Sequence, residues 1–246
     1  MAKIKAGRFG WRKVMLMYET DAYDTVSGDQ SCFLAMSSLV NFFKAKNVTY
    51  GYFNLEKNRH ISLRNNLRSE IGLDYADLFL GPMCDYVIAA VARYAAIWGV
   101  PVVTPSAQAN AFLDKQGQFR TLTRIMGSYH QLGAVFQPVM QLFDWRVAGL
   151  LYEEFDTTEH KGHHSCNFMM KAVYEGMKVK PTYRKFLSSS PRLDFASLLR
   201  EMAKSARIII LCASPHRVRE ILLVADDLNM VSSGEYVFFN VELSTR

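Results

Sequence analysis

The 246-residue sequence lacks the markers of several large protein classes. No segment is long and apolar enough to span a membrane; the nearest, residues 86–103, contains Arg93 and Pro101. The 29 Lys and Arg residues exceed the 23 Asp and Glu residues by a net charge of only +6 and are scattered, so no basic block indicates a nucleic-acid site. The first residues carry charge but no apolar segment of a signal peptide.

Signatures of catalysis and metal binding are equally scarce. The sequence has no P-loop, no GxGxxG run and no GxSxG elbow, which would mark nucleotide binding or acyl transfer. None of the four cysteines forms a CxxC pair, which argues against a zinc ribbon or a thioredoxin-like site. We therefore predict no catalytic residue and no resident metal in this chain. The even cysteine count fits two bridges and buried free thiols equally well.

The sequence instead alternates short apolar segments with segments of helical pattern, which is typical of an α/β fold. The clearest example is an apolar strand at Leu78–Leu80, a helix at about Asp85–Trp98 and a second apolar strand at Val100–Thr104. Neither strand shows polar alternation, so both are predicted to lie inside a parallel sheet covered on both faces. Ligands of such sheets bind at the carboxyl ends of the strands, here the turns at Gly81-Pro82 and Thr104-Pro105-Ser106.

The pattern of the first 60 residues begins again at Trp145. The coinciding residues are Trp11-Arg12 with Trp145-Arg146, Tyr18-Glu19 with Tyr152-Glu153, Ser31-Cys32 with Ser165-Cys166, and Thr49-Tyr50 with Thr182-Tyr183. We interpret residues 1–60 as an extra βαβ unit that resembles residues 145–186, although any two βαβ units share part of such a pattern. Residues 61–126 are then assigned to one lobe and residues 127–246 to a second lobe.

Five segments in series carry a resemblance to a known family. They are LGPMCDYVIAAVARYAAIWGVPVVT, LTRIMGSYHQLG, DWRVAGLLYEE, IIILCASPHRVREILLVA and GEYVFFNVEL. From about Asp77 onwards the chain resembles the extracellular ligand-binding domain of natriuretic peptide receptors and receptor guanylate cyclases, which has the type I periplasmic-binding-protein fold. The resemblance implies two α/β lobes with parallel sheets flanked by helices, of which this chain is an incomplete copy. Residues 1–60 do not resemble the family's opening, so they are expected to be a repeat copy in its place or, as we favour, an artefact of the gene model.

The resemblance also implies a function. The chain is expected to be a receptor ectodomain on the extracellular side of the cell membrane, without a catalytic domain, whose signal peptide and transmembrane segment lie outside this sequence. By the same resemblance, a peptide hormone binds between two paired copies, and the full-length protein signals through cGMP. Three alternatives stay open: a clearance-type receptor without cyclase activity, a receptor for an amino-acid-like molecule in a cleft lined by Ser106 and Gln108, and a soluble α/β enzyme.

The resemblance assigns roles to the cysteines and to the Gly-Pro turn. It implies a disulfide between Cys166 and Cys212, where the residues alone also allow two buried thiols. In the family the cysteine that matches Cys84 is bridged to one that has no counterpart here, which leaves a bridge to Cys32, a free thiol or an intermolecular bridge.

The same turn holds a chloride in the family. Backbone N–H groups at a helix N-terminus attract an anion, and Gly81, Met83 and Cys84 are the candidate donors here. No other cofactor is implied. The alternative is that Gly81-Pro82 is only a tight turn and holds no chloride.

The resemblance also points to ligand-binding residues. The family's tyrosine and arginine on one helix match Tyr86 and Arg93, which are seven residues apart and so share a helix face. Tyr152, Phe168 and Phe186 match aromatic positions of the family's peptide-contacting lobe. Aromatic and Arg side chains are the usual anchors of such interfaces, whereas plain core packing is the alternative for each aromatic.

Three departures from the family weaken the expectation of a basic hormone. Family acidic positions are occupied here by Lys171, Lys185 and Gly117.

Asn47 begins a glycosylation sequon, Asn-Val-Thr, as expected for an extracellular chain. The segment EHKGHHSC at residues 159–166 has metal-ligating residue types, but it lies in a loop that varies in the family and is interpreted as a solvated loop.

Overall fold

The computed structural model describes residues 11, 13–18, 31–55, 76–83, 85–154, 165–190 and 193–241, with the side chains at 31–36, 86 and 165 left aside. The chain divides into two units, Met1–Ser128 and Tyr129–Arg246. Each unit, as far as it is described, contains one fully parallel sheet with helices in the connections between its strands. The predicted α/β fold with parallel sheets flanked by helices is therefore confirmed.

The sheet of the first unit has five described strands in the order β2-β1-β3-β4-β5. The strands are β1 (Val14–Tyr18), β2 (Tyr50–Asn54), β3 (Leu78–Leu80), β4 (Val102–Thr104) and β5 (Leu122–Arg124). Helix α1 (Ser31–Ala45) connects β1 to β2, helix α2 (Asp85–Trp98) connects β3 to β4, and a 3-10 turn (Asn110–Leu113) precedes β5. The predicted extra unit thus lies in the same sheet as β3, β4 and β5; its origin as a repeat copy stays a prediction.

The apolar strands β3 and β4 are buried, as their lack of polar alternation predicted. Phe79 and Val102 are 1% and 0% exposed. Helix α2 covers this sheet with small side chains, since Ala92 and Ala95 are fully buried. Gly99 follows the last residue of the helix, and its φ of 72° is a left-handed conformation that stops a helix and favours glycine.

The sheet of the second unit has the order β7-β6-β8-β9 among the described strands. The strands are β6 (Ala148–Glu154), β7 (Thr182–Leu187), β8 (Ile208–Cys212) and β9 (Val237–Asn240). The helices are α3 (His130–Leu142), α4 (Ser165–Gly176), α5 (Phe195–Ala203) and α6 (Pro215–Asp227). Helix α3 continues through Pro138 without a break.

Two apolar clusters cover the two faces of this sheet. One contains Tyr152, Met170 and Cys212 and packs against α3 and α4. The other contains Phe186 and Leu199 and packs against α5 and α6. The alternation of side chains along β6 sends Tyr152 to the first cluster and Leu151 to the second, because neighbouring residues of a strand face opposite ways.

The two sheets repeat one arrangement in their first three strands. Their orders are β2-β1-β3 and β7-β6-β8, and a helix follows the middle strand in each. Leu16 pairs with Tyr52 on one side and Leu80 on the other, as Leu150 pairs with Tyr183 and Ile210. Strand β1 is therefore the structural counterpart of β6, β2 of β7 and β3 of β8. In this register Tyr52, and not Tyr50 as the sequence match indicated, corresponds to Tyr183.

Candidate ligand-binding groove

A groove of about 350 Å³ lies on the second sheet between β6, its edge strand β7 and helix α4; we name it the second-sheet groove. Its lining residues are Leu150, Tyr152, Asn167, Met170, Lys171, Tyr174, Tyr183 and Lys185. The strand residues alternate along β6 and β7 and so point to one face of the sheet. The helix residues fall at i, i+3, i+4 and i+7 from Asn167, which places them on one face of α4.

Tyrosine rings form much of the wall of this groove. The rings of Tyr174 and Tyr183 meet edge to face with centroids 6.2 Å apart, and Tyr183 is 52% exposed. The Lys180 ammonium lies 5.4 Å from the Tyr174 ring centroid. It donates to the Tyr174 and Glu175 carbonyls in the last turn of α4 and to the Met177 carbonyl just after the helix. These contacts hold the Tyr174 ring in place, while the Tyr183 ring faces solvent.

Two lysines bring positive charge to the groove. Lys185 Nζ lies 2.7 Å from Glu154 Oε2, and this hydrogen-bonded carboxylate raises the pKa of Lys185. Asn167 donates from Nδ2 to the other oxygen of Glu154 at 3.3 Å. Lys171 Nζ lies 3.8 Å from a Glu175 oxygen one helical turn away. Burial is the first cause that raises the pKa of Tyr152, followed by the charge of Glu154.

The predicted disulfide between Cys166 and Cys212 is confirmed, with an S–S distance of 2.04 Å and Cα atoms 5.4 Å apart. Cys212 ends β8 and pairs in register with Tyr152 of the groove. Cys166 lies in the first turn of α4, directly before Asn167. The bridge therefore ties the groove-lining helix to the sheet beneath it.

The structure separates the three aromatic residues that were predicted to contact a ligand. Tyr152 lines the groove and is 9% exposed, and Phe168 is partly buried against the core on the same face. Phe186 is 5% exposed and lies on the opposite face of the sheet, where its ring meets Phe195 edge to face at 5.2 Å. Because neighbouring positions of a strand face opposite ways, Phe186 is a core residue and does not reach the Tyr152 face.

The second predicted surface, on helix α2, is partly occupied by contacts within the first unit. Tyr86 and Arg93 both lie on α2, and the side chain of Tyr86 lies outside the described part of the structure. The exposed Arg93 donates from Nε to Gln118 Oε1 at 2.6 Å, and its guanidinium lies 5.3 Å from the Phe119 ring centroid. A ligand or second subunit at Arg93 would meet a guanidinium that already has two partners. Gly117, at the third position where the family has an acidic residue, lies one residue before Gln118 in an exposed turn.

The predicted anion-binding turn has one N–H fewer to offer than expected. Gly81 has a φ of 84°, which favours glycine, and its N–H donates to the Val103 carbonyl at 2.8 Å. Thr104 Oγ1 donates to the Pro82 carbonyl at 2.6 Å. Cys84 lies outside the described residues, and Met83 is partly buried. A chloride at this turn stays a prediction in which Gly81 is not a free donor.

An internal carboxylate organises the loop that follows β4. Asp85, 7% exposed at the first position of α2, accepts hydrogen bonds from the Ser106 hydroxyl and from the N–H groups of Ala107, Gln108 and Ala109. The Ser106 hydroxyl that was expected to line a cleft for an amino-acid-like ligand is therefore engaged within the protein.

Two further predictions concern residues outside the grooves. Asn47 is exposed, between α1 and β2, with a φ of 52° that asparagine adopts more readily than most residues. Its glycosylation stays a prediction. Residues 159–164 of the His-rich segment lie outside the described residues, and the described part of the chain shows no cluster of metal-ligating side chains. Among the described helices, none is long and apolar enough to span a membrane.

The first sheet carries a groove at the equivalent place, which we name the first-sheet groove. It measures about 300 Å³ and is lined by Leu16, Tyr18, Ser37, Val40, Asn41, Tyr50 and Tyr52. Ser37 lies five residues after Cys32, as Lys171 lies five residues after Cys166. Tyr18 pairs with Asn54, as Tyr152 pairs with Lys185. Each lysine of the second-sheet groove thus corresponds to an uncharged residue in the first sheet.

Sequence reasoning missed several residues of the second-sheet groove, among them Asn167, Tyr174 and Tyr183. A signal was present, since a residue spacing of three, four and seven from Asn167 predicts one helix face. The position of β7 beside β6 completed the groove, and that pairing is a long-range feature which local pattern does not give.

Comparison with known proteins identifies relatives of this chain. The family described as "Receptor family ligand binding region" matches residues 23–246. The chain is 33% identical over 169 residues to human atrial natriuretic peptide receptor 3 and 30% identical over 168 residues to rat atrial natriuretic peptide receptor 2. Each alignment covers 68% of this chain but only 30% and 16%, respectively, of the relative. The resemblance to the ligand-binding domain of this receptor family is thus confirmed.

Proposed function

The chain belongs to the family of receptor ligand-binding regions, and from that membership we propose that it recognises an extracellular peptide through the second-sheet groove. The observation that carries this proposal is the tyrosine wall of Tyr152, Tyr174 and Tyr183, of which Tyr183 is half exposed. Tyrosines present large contact area at low cost in side-chain entropy and are enriched among the residues that dominate binding energies.

The shape of the groove supports a peptide. Strand β7 is the outermost of the described strands of this sheet, and the ring of Tyr183 on it is accessible. An edge strand beside a row of side-chain contacts suits an extended peptide, which pairs with backbone groups and places alternate side chains in pockets. In the first unit, by contrast, the Ser106 hydroxyl expected for a small ligand is committed to Asp85.

The remaining elements of the proposal concern the whole receptor. The names of the two relatives are those of atrial natriuretic peptide receptors, and the chain spans less than a third of either. We place the domain on the outside of the cell membrane, as a ligand-binding domain without catalytic activity of its own. Pairing of two copies and signalling through cGMP, or clearance of the ligand, are the consequences we propose for the full-length protein.

Peptide selection tests the proposal directly. Random dodecapeptides displayed on phage are selected on the complete chain, produced by secretion with the Cys166–Cys212 bridge intact. We expect peptides whose binding is lost in a variant with Tyr174→Ala and Tyr183→Ala. Tyr52→Ala, at the position of Tyr183 in the first-sheet groove, is the matched control and is expected to bind normally. Peptides that ignore the Tyr174 and Tyr183 changes would contradict this placement of the site.

A further inference from the structure

The second-sheet groove carries charge of one sign on its lining. Of its eight lining residues, Lys171 and Lys185 are the charged ones. The carboxylates of Glu154 and Glu175 contact these lysines from outside the lining. A ligand segment in the groove therefore meets ammonium groups and tyrosine rings.

The fold itself does not require these two lysines. At the corresponding positions of the first sheet, the equivalent helix and strand place Ser37, which lines the first-sheet groove, and Asn54, which is buried and lies outside that lining. That groove keeps two of the three tyrosines, with Tyr18 corresponding to Tyr152 and Tyr52 to Tyr183, whereas Val40 stands at the position of Tyr174. One scaffold thus supports both a charged and an uncharged lining, so the lysines serve something other than building the groove.

Ion pairing within the protein is a weak reason for their presence. The side chains of Lys171 and Lys185 are 64% and 53% exposed, and exposed ion pairs contribute little to stability. The Lys171 contact at 3.8 Å is long, and Lys185 offers three donors where Glu154 accepts one. Both ammonium groups therefore keep donors for a further acceptor.

We propose that the second-sheet groove selects a peptide segment that carries a carboxylate next to an aromatic or apolar side chain. The carboxylate accepts hydrogen bonds from Lys171 and Lys185, and the neighbouring side chain packs on Tyr174 and Tyr183. This inference rests on the proposed function, because it names the chemistry of the peptide that the groove takes.

The peptide selection described above tests this inference through the composition of the selected sequences. We expect enrichment of Asp and Glu beside an aromatic residue. A variant with Lys171→Glu and Lys185→Glu is expected to select Lys and Arg instead. A second variant, with Lys171→Ser and Lys185→Asn, takes the residues at the corresponding positions of the first sheet and should bind the best acidic peptide about tenfold more weakly.

The outcomes separate this inference from the proposed function. Selected peptides that need Tyr174 and Tyr183 but show no acidic bias, or that bind the Ser/Asn variant equally well, would overturn the acidic ligand and leave peptide recognition standing. Failure to select any peptide that depends on these tyrosines would overturn both. Raising the salt concentration should weaken the acidic peptide and spare a neutral one, because exposed charge pairs are screened.

Discussion

The two units share one strand arrangement, but different interactions hold the start of a helix in place in each unit. In the second unit, a disulfide joins the start of α4 to the end of β8. In the first unit, counting on two residues from the pair Leu16–Leu80 gives Pro82 at the position of Cys212, so the equivalent bridge has no second cysteine there. The first unit instead holds the start of α2 to the loop after β4 through Asp85. The shared strand arrangement therefore does not determine whether a disulfide or a buried carboxylate holds the start of a helix.

The largest expected effect is the loss of the bridge. Replacing Cys166 and Cys212 with alanine should destabilise the second unit by about 4 kcal/mol, because the open chain of the unfolded state regains the entropy of a long loop. Hydrogen exchange followed by mass spectrometry reports the two sheets separately. We expect faster exchange in β6–β9 and unchanged exchange in β1–β5.

Reduction of the unmodified protein sharpens the same comparison. Loss of protection in the second sheet alone would mean that the first unit depends on no bridge. Loss of protection in both sheets would favour a bridge that involves the first unit, and so a Cys32–Cys84 or intermolecular bridge over a free Cys84 thiol. Equal protection in both sheets before and after reduction would contradict the stabilising role of the Cys166–Cys212 bridge.

Removing the hydrogen bonds of Asp85 in the first unit is expected to have the next largest effect. Asp85→Ala should destabilise the first unit by about 3 kcal/mol, because it leaves buried N–H donors of Ala107 and Ala109 without an acceptor. Asp85→Asn keeps one acceptor oxygen and should cost less. Thermal unfolding with the exchange readout measures both. Equal losses in the two sheets would argue against a local role for this carboxylate.

Part of this picture was predictable from the sequence because it depends on local pattern. The apolar run at Leu78–Leu80 and the helix Asp85–Trp98 have the predicted bounds in the structure. The repeat of Trp, Tyr and Cys also anticipated that β1 and β6 occupy equivalent places. These features are predictable because burial and the periodicity of helices and strands determine which residue types occupy positions close together in the sequence.

Features set by long-range contacts could not be predicted in the same way. Phe186 matched a ligand-contacting position, but the face it occupies depends on how β7 pairs with β6. Asp85 looked like an ordinary start of a helix, and its role depends on four donors more than twenty residues away. Neither the pairing of β7 with β6 nor the approach of residues 106–109 to Asp85 leaves a local pattern in the sequence.

Helices α3 and α4 make a close contact in the second unit. A Cβ atom on Gly133 would lie 2.6 Å from the Gly176 Cα and 2.8 Å from the Ala172 carbonyl oxygen. Gly133→Ala should therefore cost about 2 kcal/mol and loosen the second-sheet groove, which α4 lines. Gly127→Ala is the control, since an added Cβ there meets nothing within 4 Å. A Gly133 variant as stable as the control would refute this packing. Thermal unfolding of the two variants makes the comparison.

The smallest expected effect concerns the edge strands, of which β7 carries Arg184 and Lys185 whereas β2 (Tyr50–Asn54) carries no charged residue. Arg184 Nη2 donates to Glu201 Oε1 at 2.7 Å, and this hydrogen bond lowers the pKa of Glu201. A carboxyl whose folded-state pKa lies below its unfolded value contributes stability above the unfolded pKa. That contribution is lost as the pH falls through the folded value.

Arg184→Gln should therefore return the Glu201 pKa to its ordinary range, as measured by carboxyl-carbon NMR titration. It should also move the acid unfolding of the second unit to slightly higher pH, with no change in the first unit. The shift will be small because both groups are exposed to solvent and such pairs contribute little. If acid unfolding of the second unit is unchanged while the Glu201 pKa rises, the contact is present in the unfolded chain as well.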